Sequence, residues 1–105
     1  MAKPKLILAA SPTFKAKVGI PVPGGQPVLV EFTFKHRDAD AYEEWRQTLP
    51  GRDETDLILD MVSSWDLDDA FDRDNVEQLL KQYMGSGAAI FEKYLKENCA
   101  AKLGN

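Results

Sequence analysis

Two alternating segments joined by a turn signal constrain this chain more than any other feature. Phe14, Ala16, Val18, Ile20 and Val22 alternate with Lys15, Lys17 and Gly19, the period-two pattern of a strand with one buried face. Pro23-Gly24-Gly25 follows, combining a fixed φ with residues that tolerate positive φ. Val28, Val30, Phe32 and Phe34 then alternate with Leu29, Glu31, Thr33 and Lys35. The pattern predicts an antiparallel hairpin over 14–22 and 27–36. A lone hairpin is marginal in water, so its Val/Phe face requires a cover, from helices or from another subunit.

After residue 37 the period changes. Asp40 and Glu43 have capping-box spacing, and Tyr42, Trp45 and Leu49 form a helical stripe before Leu49-Pro50-Gly51. Asp53 is placed to cap a second helix carrying Leu57, Ile58, Met61, Val62 and Trp65 on one stripe and ending near Ser63-Ser64. Asp72 or Asp74 caps a third, with Val76, Leu79, Leu80 and Tyr83 inward, until Gly85-Ser86-Gly87 interrupts it. Ser86 is placed to cap a last helix, with Ile90, Phe91, Tyr94, Leu95 and Asn98 inward and Leu103-Gly104-Asn105 as a frayed end. The expected fold class is α+β, an N-terminal antiparallel β-hairpin followed by about four short helices. At 105 residues this is one domain, with a hairpin region over 1–37 and a helical region over 38–105.

Charge is distributed unevenly. Residues 1–37 carry six Lys/Arg and one Glu, residues 38–77 three Arg and fourteen Asp/Glu, and residues 78–105 four Lys and two Glu. The formal net charge of −4 repels nucleic acid and anionic membrane on average. A basic front and an acidic middle can attract each other within one chain or between neighbouring copies, and the second option gives a head-to-tail homo-oligomer. No apolar run reaches the roughly 18 residues of a membrane span, and Leu6 to Ala10 is shorter than a signal-peptide core. The single cysteine, Cys99, fits a reducing cytoplasm.

The densest candidate for chemistry is Trp65-Asp66-Leu67-Asp68-Asp69-Ala70-Phe71-Asp72-Arg73-Asp74-Asn75-Val76-Glu77, with six acidic residues in thirteen. Set on a calcium loop starting at Asp66, it places Asp68, Asp72, Asp74 and Glu77 at ligand positions. Ala70 then occupies a fifth position that needs a ligand, and Phe71 a sixth that needs glycine for the sharp turn. The stretch reads better as a structural joint made by Trp65, Asp66, Leu67 and Asp72: Asp66, Asp68 and Asp69 form a tight connection, Asp72 or Asp74 caps the next helix, and Trp65, Leu67 and Phe71 are buried anchors. A small acidic regulatory module, calcium-dependent or adaptor-like, is the alternative reading of the same residues.

Catalytic constellations do not assemble. His36 lies between Lys35 and Arg37 without an orienting carboxylate, and Cys99 has no second histidine. Ser11, Ser63, Ser64 and Ser86 sit in no nucleophile elbow, and neither glycine stretch has the residues of a phosphate loop. No enzyme, cofactor or metal is expected. Lys35-His36-Arg37 with Lys15 and Lys17 is too small a basic patch to hold nucleic acid against the net charge.

Several short motifs together resemble the tail assembly chaperones of long-tailed bacteriophages and prophages. They are Pro12-Thr13-Phe14-Lys15, Ile20-Pro21-Val22-Pro23-Gly24-Gly25, Phe32-Thr33-Phe34-Lys35-His36-Arg37 and Trp65-Asp66-Leu67 before a capped helix, with Tyr83 and Tyr94 flanking a small-residue joint. The resemblance covers nearly the whole chain. It implies a non-enzymatic protein that binds the tape measure protein, keeps it soluble and helps recruit tail tube subunits. It further implies work in the host bacterial cytoplasm, absence from the mature virion, and self-association. Phe32, Phe34, Lys35, Arg37, Trp45, Trp65 and Phe71 are the candidate partner-binding or self-association residues. The family's programmed −1 frameshift bears on Leu103-Gly104-Asn105, whose codons permit the heptamer G GGA AAC; the expectation is that this chain is the short product.

Overall fold

The computed structural model describes residues 3–100. Strand β1 (Thr13–Ile20) and strand β2 (Val28–Lys35) form the antiparallel hairpin, in a register that pairs Thr13 with Lys35 and Ile20 with Val28. Between them, the Gly25 N–H donates to the Val22 carbonyl at 3.1 Å, and Gly24 has φ +73°. Proline followed by a positive-φ glycine is the arrangement of a type II turn. Four helices follow: α1 (Ala39–Arg46), α2 (Glu54–Met61), α3 (Arg73–Gln82) and α4 (Ser86–Asn98). The architecture is α+β, as the sequence predicts. Leu103-Gly104-Asn105 lie outside the described residues.

A third strand, absent from the sequence reading, changes the centre of the molecule. Strand β3 (Val62–Trp65) starts where α2 ends and pairs antiparallel with the second edge of β2, giving the order β1-β2-β3. The expected helix through Ser63-Ser64 therefore stops at Met61. Two features explain this. Val62 has extended backbone angles, φ −117° and ψ 138°, and the hairpin alone leaves one edge of β2 with unpaired N–H and C=O groups. The pairing skips one residue: Thr33 faces Ser64, but Phe34 faces Val62. Ser63 is thus the extra residue of a β-bulge, its hydroxyl donating to the Thr33 carbonyl at 3.3 Å. The bulge turns both Val62 and Trp65 inward although they are three residues apart.

The inner face of the sheet meets α2 and α4 over an aromatic centre. Phe34 lies 5.5 Å from Phe14 and 5.6 Å from Tyr94, ring centroid to centroid, and Trp45 from α1 meets the Tyr94 ring edge-on at 5.3 Å. Phe32, Phe34, Ile58, Met61, Val76, Ile90 and Tyr94 are essentially inaccessible to solvent. Each such aromatic or large aliphatic side chain contributes about 1.5–3 kcal/mol of burial.

Helix ends correct further expectations. The cap of α1 is Asp38, whose carboxylate accepts from the Ala41 N–H at 2.9 Å; Asp40 sits inside the first turn, and Glu43 pairs with Arg46. Asp53 occupies the N-cap of α2 without a side-chain cap bond. Asp72, not Asp74, caps α3, accepting from the Asn75 N–H at 2.9 Å. Ser86 caps nothing: it is the first residue of α4, fully buried, with its hydroxyl directed at the Leu79 carbonyl. Only Tyr83-Met84-Gly85 separates α3 from α4, and so short a joint carries Ser86 into the core. Tyr83, expected inward, is 37% exposed.

Candidate partner-binding surface

The expected site residues separate into three environments. Phe32 and Phe34 are at 0% exposure and Trp45 at 5%, so as folded their rings contact only this chain. Lys35 and Arg37 are engaged internally. The Lys35 ammonium donates to the Leu59 carbonyl at 3.3 Å. The Arg37 guanidinium donates to the Tyr94 hydroxyl at 2.9 Å and to the Asp60 carboxylate at 3.0 Å, and lies over the Trp45 ring at 4.7 Å. Asn98 accepts from the Arg37 N–H and donates to its carbonyl, both at 3.0 Å. Arg37 is a junction joining the end of β2 to α1, α2 and α4. The basic patch read from Lys35-His36-Arg37 is thus largely turned inward.

Asp60 is the anionic partner of that junction. It also accepts from the Trp45 indole N–H at 2.8 Å and from Arg52 at 3.0 Å. Partial burial would by itself raise the Asp60 carboxyl, but the Arg52 hydrogen bond, the Arg37 charge and the Trp45 bond together hold it below the usual carboxylate range. Burial pushes the Tyr94 hydroxyl upward despite the opposing influence of Arg37. It keeps its proton and donates to the Lys35 carbonyl at 2.9 Å.

The acidic stretch lies at one side of this core. Asp66 extends the sheet beyond β3, its N–H donating to the Glu31 carbonyl at 3.0 Å and its carboxylate accepting from the Glu31 N–H at 2.9 Å. Trp65 donates to the Asp69 carbonyl at 2.7 Å and meets the Phe71 ring edge-on at 5.2 Å. Leu67, expected as a buried anchor, is 36% exposed, because the chain turns outward immediately after Asp66. Arg73 pairs with Asp56 across to α2 and approaches Asp53 and Glu77. No three His, Cys, Asp or Glu side chains converge in a metal-holding group among the described residues.

Beside this joint, an open groove of about 660 Å³ runs between the hairpin tip and α3. Ile20, Val22, Val28 and Val30 form one wall, Trp65 and Leu67 the floor, and Leu79 and Tyr83 the other wall. Asn75, Gln78 and Gln82 line the helical side, and Asp69 is the one charged lining residue among those described. Val28 at its rim is 53% exposed. An apolar trough with a polar border matches the usual composition of binding clefts. Trp65 alone of the expected contact residues borders it. The signal available in the sequence was the hairpin's alternation running into the turn, which puts Val22 and Val28 at the tip. A smaller recess of about 230 Å³ separates α2 from α4. There Gly87 leaves room for the Glu54 carboxylate against the first turn of α4, where the helix dipole favours an anion.

The fold and groove define a small α+β domain with an open apolar trough. The family model described as phage tail assembly chaperone matches residues 1–105, and the chain belongs to that family. Neither the curated proteins nor the solved structures yielded a match. No helix among the described residues is long and apolar enough to cross a membrane.

Proposed function

We propose that this protein is a non-enzymatic chaperone that binds the tape measure protein during tail assembly, keeps it soluble and helps recruit tail tube subunits. The observation that carries this reading is the family match along the whole chain. The groove supplies a physical means. A tape measure is a long, largely helical chain, and an amphipathic helix lays its apolar stripe into a trough of this kind while its polar face stays wet. Many weak contacts along one long partner add through avidity. The protein acts in the host bacterial cytoplasm and leaves before the virion is complete.

Co-expression with the cognate tape measure protein is the direct test. The partner should stay in the soluble fraction and co-purify with this chain, and Val28→Asp at the groove rim should abolish both effects without unfolding the domain. A tape measure protein that is equally insoluble with and without this chain would refute the proposal.

A further inference from the structure

Residues 3–12, before β1, have no regular secondary structure and are exposed throughout. They carry the apolar run Leu6-Ile7-Leu8-Ala9-Ala10, in which Leu6, Ile7 and Leu8 are 81%, 78% and 94% exposed. Three consecutive large aliphatic side chains left in water are costly, and they sit on an arm whose last residue is fixed: the His36 N–H donates to the Pro12 carbonyl at 2.9 Å. The same molecule holds an apolar groove that is open among the described residues. We infer that the arm of one copy seats in the groove of a second copy, with Leu6, Ile7 and Leu8 against the hairpin tip and α3.

Reach keeps Leu6, Ile7 and Leu8 from seating together at the tip of their own chain. The arm leaves the sheet at Thr13, whereas the groove wall begins at Ile20, the other end of β1. Leu8 extends at most about 18 Å from Thr13 and Leu6 about 25 Å, and only when fully extended, while Ile20 lies about 23 Å along the strand. Val28 is level with Ile20 in the register, and Val22 lies beyond it in the turn. Charge favours the exchange. The arm carries Lys3 and Lys5 and no acidic residue, and the groove is bordered by Asp69, with Asp66 and Asp68 exposed beside it. Each copy offers one arm and one groove on different parts of its surface, so the contact is head-to-tail and extends into a ring or a chain of copies.

For the exchange to matter in assembly, the inference rests on the proposal that the groove receives the tape measure protein. The arm is then a placeholder that covers the groove until the partner displaces it, and it lowers apparent partner affinity by the fraction of grooves it fills.

Two full-length variants test the contact without any partner. Leu6→Asp/Ile7→Asp/Leu8→Asp alters an arm that takes no part in the core, and Val28→Asp alters the groove at an exposed position. Sedimentation velocity over a concentration series should show self-association of the unmodified chain and monomers for each variant alone. Mixing the two should restore a one-to-one complex, because the first retains a groove and the second an arm. A monomeric unmodified chain at all concentrations, an arm variant that associates as well as the unmodified chain, or a mixture that stays monomeric would each overturn the inference. With tape measure protein added, the arm variant should bind several-fold more tightly than the unmodified chain; equal affinity would overturn the placeholder role. If no tape measure binding is detected, the proposed function fails while the mixing result still decides the arm contact.

Discussion

Asp60 is the residue on which the end of β2, α1 and the loop before α2 converge, through Arg37, Trp45 and Arg52. Its removal takes the carboxylate from two guanidinium groups, which keep only the Tyr94 hydroxyl, the residue-60 carbonyl and the Thr48 hydroxyl, and leaves the Trp45 indole N–H without its acceptor. Asp60→Ala should therefore lower stability by about 2–3 kcal/mol, less than a fully buried pair because the carboxylate is partly exposed. Urea denaturation at neutral pH measures it. The sign of the pH dependence follows from the lowered pKa. The stabilisation is present above the ordinary aspartate pKa and is lost as pH falls from about 4 through the depressed native value. Asp60→Asn should accordingly flatten the acid limb of the stability profile. Arg37→Lys is not a conservative change here, because one ammonium cannot reach Tyr94 and Asp60 together while stacking on Trp45.

The shortest element, β3, decides how the sheet meets the groove. Deleting Ser63 removes the bulge and leaves Val62 and Trp65 two positions apart, the ordinary same-face spacing of a strand, so the pairs Phe32–Trp65, Thr33–Ser64 and Phe34–Val62 should all be kept. Trp65→Ala, by contrast, loses the packing on Phe32 and Phe71 and should cost about 3 kcal/mol, read by denaturation, while the Ser63 deletion should cost far less. Asp72→Ala should cost about 1 kcal/mol as a lost N-cap. The same bulge explains why β3 was hidden in the sequence. Residues three apart on one face are the mark of a helix, and Val62 and Trp65 satisfy that spacing only because Ser63 is extra. The hairpin was legible because its alternation is unbroken and its turn chemistry is specific. The cap of α1 was legible only to within two residues, since Asp38 and Asp40 are chemically equivalent candidates and backbone direction chooses between them. Arg37 looked like surface charge because its acceptors come from residues 23 and 57 positions away, a separation that local pattern does not carry.

For the molecule as a whole, the basic front and acidic middle meet partly within one chain, through Arg37 and Asp60. Lys3, Lys5, Lys15 and Lys17, together with Asp66, Asp68 and Asp69, remain exposed, and the proposed exchange of arms between copies would draw on them. Self-association should therefore weaken as ionic strength rises from a few millimolar toward about 0.15 M, where screening becomes short-ranged; light scattering across a salt series checks this. The groove was not foreseen because it belongs to no segment: its walls come from the hairpin tip and α3, its floor from the joint between them. The two indoles sit very differently with respect to it. Trp45 is enclosed under a guanidinium, whereas Trp65 lines the groove and touches Phe71. The chain thus carries two intrinsic optical probes, one blind to ligands and one facing them. In a Trp45→Phe background, emission should shift to the blue when the trough fills, giving a label-free titration of whatever enters it.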